Sequence, residues 1–170
     1  MAETHPMTTA SIPTGQASKE LVMTWFAVGI ASAEGLAMVT DDFVWRAPES
    51  TKHLFGCGDG VLRGPDLGEL DLLNQALYKD ADTTAEATNF HFIIAEGDIV
   101  VLEFDVARAL HDGGNYHNQY CMVVHVRDGK IAEVREHTDT LYSDNVIMGT
   151  PEKKAAFTQR LNKLRSAHTH

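Results

Sequence analysis

The stretch VVLEFDVARA, residues 100–109, places Glu103 and Asp105 two positions apart in an otherwise apolar run. In a β-strand such residues share one face, while Leu102, Phe104 and Val106 share the other, which belongs in a packed layer. The face that carries the two acids is therefore either solvent-exposed or lines a cavity that uses them. A third acid, Glu136 in KIAEVREHTDT, and Arg46 in DDFVWRAP complete the set of charged groups that strand parity could bring together. Buried charges are costly unless they are paired. An arginine fork can bridge two carboxylates, and the remaining acid then keeps its proton through desolvation and nearby like charge. One ionised and one protonated acid in a dry pocket can carry a proton across a substrate. On this reading Asp105 is the general base, Glu136 its acid partner, and Arg46, with Glu103 beside it, orients the acids or binds an oxyanion. Tyr120 and Asn118 would offer hydrogen bonds to a substrate carbonyl or hydroxyl, with Met122 and Val134 as apolar wall.

Other groups point less directly to chemistry. His91 alternates with Phe90 and Phe92 and is a candidate pocket residue or a satisfied structural histidine. Trp45 belongs to the core or an interface and could contact substrate. His117 and His125 are too far apart on one strand to share an ion, and no cluster has compact metal-ligand spacing, so no metal is expected. The GCGDG segment at 56–60 holds Cys57 among glycines and reads as a mobile lid over the pocket mouth. No phosphate-binding glycine fingerprint is present.

The elements that must position these residues come from periodicity. Lys19 to about Ser32 has apolar residues at helical spacing with Ser18 as a possible N-cap, and GLAMV adds a short helical piece. DDFVWRAP is a strand ended by Pro48. STKHLFGCGDGVLRG is a loop, and a helix follows Pro65 with Leu67, Leu70, Leu72, Leu73 and Leu77 on its apolar side. The period then changes to two. TAEATNFHFIIAE, DIVVLEFDVARAL, NYHNQYCMVVHVR and KIAEVREHTDT are strands separated by EGD, HDGG and RDGK, of which the Asp-Gly and Gly-Gly pairs are hairpin signals. PEKKAAFTQRLNKL forms a closing helix. Residues 1–17 read as a flexible tail, 18–150 as one domain, and 151–170 as the C-terminal helix and tail. Helices followed by a curled meander make an α+β layout, a half-barrel wrapped around the N-terminal helices.

The whole chain sets outer limits. Its 170 residues suit one domain with a sizeable core, and a net charge of −10 argues against nucleic-acid or anionic-membrane partners. The sequence has no transmembrane run, and its first residues lack a signal-peptide pattern. Two cysteines without metal-like spacing suggest reduced thiols and a cytoplasmic setting.

DDFVWRAP, IIAEGDIVVLEF, NYHNQY and DGKIAEVREHTDT together resemble the nuclear-transport-factor-2-like superfamily over residues 18–145, within its SnoaL-like and ketosteroid-isomerase-like branch. The resemblance implies a cone-shaped antiparallel half-barrel with an apolar pocket, a homodimer through the outer sheet face, and mostly cofactor-free chemistry on small apolar substrates of steroid, polyketide or aromatic type. Isomerisation, cyclisation, dehydration and carbon–carbon lysis are the implied reactions. Epoxide hydrolysis and a non-catalytic binding or assembly role are the alternatives. In a comparison with limonene-epoxide hydrolase, Asp105 and Glu136 stand at its two triad acids. Glu103 replaces the arginine there, and Val44 and Arg46 stand at the water-holding residues. The position of the ketosteroid-isomerase base is Ala47. The same comparison puts Val44, Arg46, Glu103, Asp105, Ala107, Asn118, Tyr120, Met122, Val134, Glu136 and Thr138 on the inward face. A slip of one residue would exchange the two faces of any strand.

Overall fold

A computed structural model describes residues 15–53, 59–79 and 88–168 of the chain. The elements run α1 (Gly15–Val28), α2 (Ala33–Ala37), β1 (Val39–Arg46), β2 (Val61–Arg63), α3 (Gly68–Leu77), β3 (Thr88–Glu96), β4 (Ile99–Ala109), β5 (Asn115–Arg127), β6 (Lys130–Thr138), α4 (Thr140–Met148) and α5 (Pro151–His168). The strands form one six-stranded sheet in the order β2-β1-β6-β5-β4-β3.

The β3–β6 meander follows from its turns. Asp128 (φ 53°) and Gly129 (φ 73°) are both left-handed, the conformation a two-residue hairpin needs to match strand twist. At the HDGG turn the Leu110 amide bonds the Gly114 carbonyl, which aligns Arg108 with Tyr116, Phe104 with Tyr120 and Leu102 with Met122. Between β5 and β6 the register sets Met122 against Glu136 and Tyr120 against Thr138.

The inner face of this curved sheet holds Val100, Leu102, Phe104, Tyr116, Met122, Val124 and Val134, all buried. Helix α1 packs here because Val22, Trp25 and Phe26 fall on one stripe. Phe26 meets Phe90 and Phe104 edge-on with ring centroids 5.5 and 5.7 Å apart. The Trp25 indole donates to the Gly35 carbonyl (3.1 Å), tying α2 to α1. Helix α5 packs against α3 and α4. Its Phe157 and Leu161 are buried, Arg160 donates to the Ala76 carbonyl of α3 (2.8 Å), and Arg165 bonds Glu69.

The α+β half-barrel expected from the sequence is thus the observed architecture, with differences of detail. The sheet is mixed, because β1 runs parallel to β6, and β2 is a short strand within the expected loop. Helix α4 follows directly on β6, capped by the Asp139 carboxylate on the Tyr142 amide. Helix α1 begins at Gly15, so residues 15–17 are helical, and Ser18 is no cap: it lies within the helix and donates to the Gly97 carbonyl (2.8 Å). Residues 1–14 of the tail expected at 1–17, and residues 56–58 of the GCGDG segment with Cys57, lie outside the described residues.

Candidate functional site

A cavity of about 180 Å³ lies between the inner sheet face and helices α1, α3, α4 and α5. Its walls are mainly apolar, with Phe26, Leu73, Phe104, Met122, Ile147 and Phe157 among them, and its polar groups come from few residues. These are Glu136, Trp45, Tyr78, Tyr116, Tyr120, Arg108, Asn74 and Ser143, with threonines at the margins.

Glu136 projects from β6 into this cavity. Its Oε2 accepts a 3.0 Å hydrogen bond from the Trp45 indole, an inward residue of β1 because Trp45 pairs with Val134. Burial among apolar walls pushes the Glu136 carboxyl up to about 7, against the smaller opposing pull of the indole N–H. It is therefore close to half-ionised at neutral pH, the state in which one carboxyl can both take and return a proton.

Tyr120 stands diagonally from Glu136 across the β5–β6 ladder. Its ring stacks on Phe104 (centroids 5.3 Å apart, planes 9° apart), and its hydroxyl meets that of Tyr116 at 2.7 Å. Tyr116 is in turn held by the Ser143 hydroxyl (3.0 Å) and the Asn118 amide (3.0 Å). Burial raises the Tyr120 hydroxyl well above its ordinary value, so it stays a neutral donor. Asn118 is buried and also donates to Ser143 Oγ (2.8 Å) and the Asp139 carbonyl (3.1 Å). It fixes the tyrosines and does not line the cavity.

The structure separates the expected acids. Inward orientation holds for Tyr120, Met122, Val134, Glu136 and Asn118, although Val134 is core and does not line the cavity. It is reversed for Val44, Arg46, Glu103, Asp105 and Ala107, which lie on the outer face. The physical reason is the hairpin register: Phe104 pairs with Tyr120, so even-numbered residues of β4 share the inward face with even-numbered residues of β5. Arg46 bonds Glu133 (2.7 Å) on the outside and bridges no cavity acids, while Glu103 pairs across from Cys121. Arg46 is the chief cause that holds Glu133 below the usual carboxylate range.

Asp105 has its own outer cluster. A bulge after Phe90 turns His91 outward, where it hydrogen-bonds Asp105. Asn89 and His117 approach the same carboxylate at 3.4 Å each. The His91 contact is the largest cause that lowers the Asp105 pKa, and reciprocally raises that of His91. The roles proposed above for Asp105, Arg46, Glu103 and His91 in one pocket therefore have no geometric basis. Among the described residues no group of three histidine, cysteine or acidic side chains is placed to hold a metal ion.

Sequence reasoning missed Arg108, Tyr78 and Tyr116. Arg108 shares inward parity with Phe104, a signal visible once the apolar face of β4 is taken as the concave one. Its guanidinium lies 5.4 Å from the centre of the buried Tyr78 ring.

Residues 31–134 match the family model of the SnoaL-like domain, well over half of the chain. The chain belongs to the SnoaL-like domain family. Glu136 lies just beyond the matched span. Solved structures similar to this SnoaL-like chain share its fold at low identity. One is TerC co-crystallised with polyporic acid (19% identity, 76% of this chain and 97% of that one, TM-score 0.62). Another is an NTF2-like protein of unknown function from Burkholderia pseudomallei (14%, 78% and 98%, 0.63). A third, from Jannaschia sp. CCS1, is provisionally described as a SnoaL-like polyketide cyclase (17%, 86% and 100%, 0.55). Comparison with curated proteins returns no match.

Proposed function

We propose that this SnoaL-like chain is an enzyme that, without a cofactor, moves a proton on a small, largely aromatic or polyketide-like carbonyl compound, with Glu136 as the group that takes and returns it. The observation that carries this reading is a single carboxyl, tuned to about 7, inside an apolar cavity. A carbon beside a carbonyl would lie against Glu136, and the Tyr120 hydroxyl would donate to the carbonyl oxygen as enolate charge develops. In this role Tyr116 donates to the Tyr120 oxygen, which leaves the single Tyr120 proton for the substrate. Return of the proton to another carbon gives isomerisation, and attack of the enolate on a second carbonyl gives cyclisation. The solved structures named above support the fold.

Asp105 and Glu136 lie on opposite faces, so the expected pairing of these acids around one water, as in epoxide hydrolysis, loses its geometry. We also propose the outer face as a homodimer surface. Phe92, Ile94 and Ile99 are exposed there, beside Val101 and Val123 and a charged margin of Glu133, Arg46 and Arg135.

The activity is tested with 2-tetralone, a bicyclic ketone, in deuterium oxide. Wild-type protein should speed hydrogen–deuterium exchange beside the carbonyl, followed by NMR, with a rate that rises with pH through about 7. Glu136→Gln should lower the catalysed rate by about 10²–10⁴-fold. Equal exchange by wild type and Glu136→Gln contradicts the proposal.

A further inference from the structure

The two oxygens of Glu136 have different surroundings. Oε2 accepts the Trp45 indole N–H at 3.0 Å, while Oε1 has no hydrogen-bond partner among the described residues. Nor is Oε1 sealed off: among those residues the one buried side-chain oxygen without a partner is the Thr40 hydroxyl, and Glu136 lines the cavity. The donor that holds Oε2 has little freedom to move. Trp45 is 2% exposed, and its backbone is laddered on both sides, against Leu62 of β2 and Val134 of β6. Its ring lies 6.1 Å, centroid to centroid, from that of Trp25, whose indole is itself fixed on the Gly35 carbonyl. Because Trp45 pairs with Val134, Glu136 two residues further along β6 lies diagonal to it on the same inner face, where the indole meets the carboxyl.

We infer that Trp45 is a positioning residue for the proton transfer: by holding Oε2 it confines the moving proton to Oε1 and aims that oxygen at the substrate. This deepens the reading of Glu136 as the proton carrier and rests on it for the reaction only. An indole N–H donates and cannot accept. When Glu136 is ionised, Oε2 takes the bond as a carboxylate oxygen. When it is neutral, the carbonyl oxygen is the better acceptor, so Oε2 keeps the bond and the O–H forms on Oε1. The contact therefore survives both protonation states, and the carboxyl need not turn between taking a proton from one carbon and returning it to another. Such fixed aim matters because the reacting atoms must meet at near-contact distance in both steps.

The test joins a signal that needs no turnover to one that does. The chain has two tryptophans, so a proton–nitrogen NMR spectrum has two indole N–H signals. The Trp45 signal is assigned by its absence in Trp45→Phe or, should that variant not fold, by its change in Glu136→Gln. It should move with pH about a midpoint near 7 as Glu136 ionises and lose that movement in Glu136→Gln, while the Trp25 signal moves little. In exchange of 2-tetralone, Trp45→Phe, shown folded by circular dichroism, should move the pH midpoint upward by about one unit, because the ion loses a donor. The high-pH plateau should fall about tenfold, with KM within about twofold of wild type. A stronger base in an unchanged place would raise the plateau, so its fall reports position. A titrating Trp45 signal supports the hold on Oε2 even if no ketone is exchanged, so the two readings fail separately. A Trp45 signal indifferent to pH, or a folded Trp45→Phe whose plateau is undiminished, overturns the inference.

Discussion

Replacing Glu136 by glutamine should stabilise the protein at neutral and alkaline pH. The carboxyl is raised from 4.5 to about 7 by burial, so the folded state binds its proton more tightly than the unfolded chain does. Between those values the folded protein holds more protons, and stability falls as pH rises. The loss begins near the unfolded value, is complete just above the folded one, and stays constant beyond it. At 1.36 kcal/mol per pH unit it amounts to at most about 3 kcal/mol, less to the extent that cavity water reaches the group. Glutamine keeps the shape and still accepts from the Trp45 indole, but does not ionise. The assay is urea unfolding of both proteins from pH 4.5 to 8.5. The difference in stability, wild type minus variant, should fall by up to about 3 kcal/mol between pH 4.5 and about 7 and then level. For a chain of this size the same effect in melting temperature is about 6–12 °C at the limit. Taking the difference cancels His91, whose raised pKa adds stability at low pH that is lost as pH rises through its folded value. A difference curve that is flat or that rises with pH would refute the argument.

Asp105→Asn should leave ketone exchange within about twofold of wild type, because the carboxylate faces outward; its depressed pKa adds stability above the usual aspartate value that is lost only as acid protonates the folded group. Tyr116→Phe should slow exchange by about tenfold with little change in affinity for the ketone, because it frees the Tyr120 hydroxyl from its partner. Light scattering should give twice the chain mass for wild type and the chain mass for Ile94→Asp, whose charge would sit in the outer apolar patch; a monomeric wild type contradicts the dimer surface.

The long strands, their hairpins and the amphipathic helices were legible because periodicity and turn chemistry agree over many residues. Parity across strands was less so. Residue alternation gives two faces but not which one is concave, and likeness to another pattern placed odd-numbered residues of β4 with even-numbered residues of β5. The HDGG turn contradicts that choice: a hairpin in which Arg108 faces Tyr116 puts residues of equal parity on the same side. The most apolar face of β4, Leu102 with Phe104 and Val106, was the better guide, since a cavity wall in this fold is a packed layer with few polar groups. Glu136 has the inward orientation assigned to it, and a bulge between His125 and Val126 is what sets it opposite Met122; the register of the RDGK turn alone would have set it opposite Cys121. Helix α4 was hidden because TLYSDNVIM lacks a clear apolar stripe, and the parallel β1–β6 contact because no local signal reports a pairing across most of the chain.

The most direct measurement is the titration of Glu136 itself, by carbon-13 NMR of carboxyl-labelled protein with the resonance assigned by its absence in Glu136→Gln. The expected midpoint is near 7, moved further upward when 2-tetralone fills the cavity and displaces water. A midpoint in the ordinary glutamate range, indifferent to the ketone, would place this carboxyl in water and leave the cavity without its proton carrier.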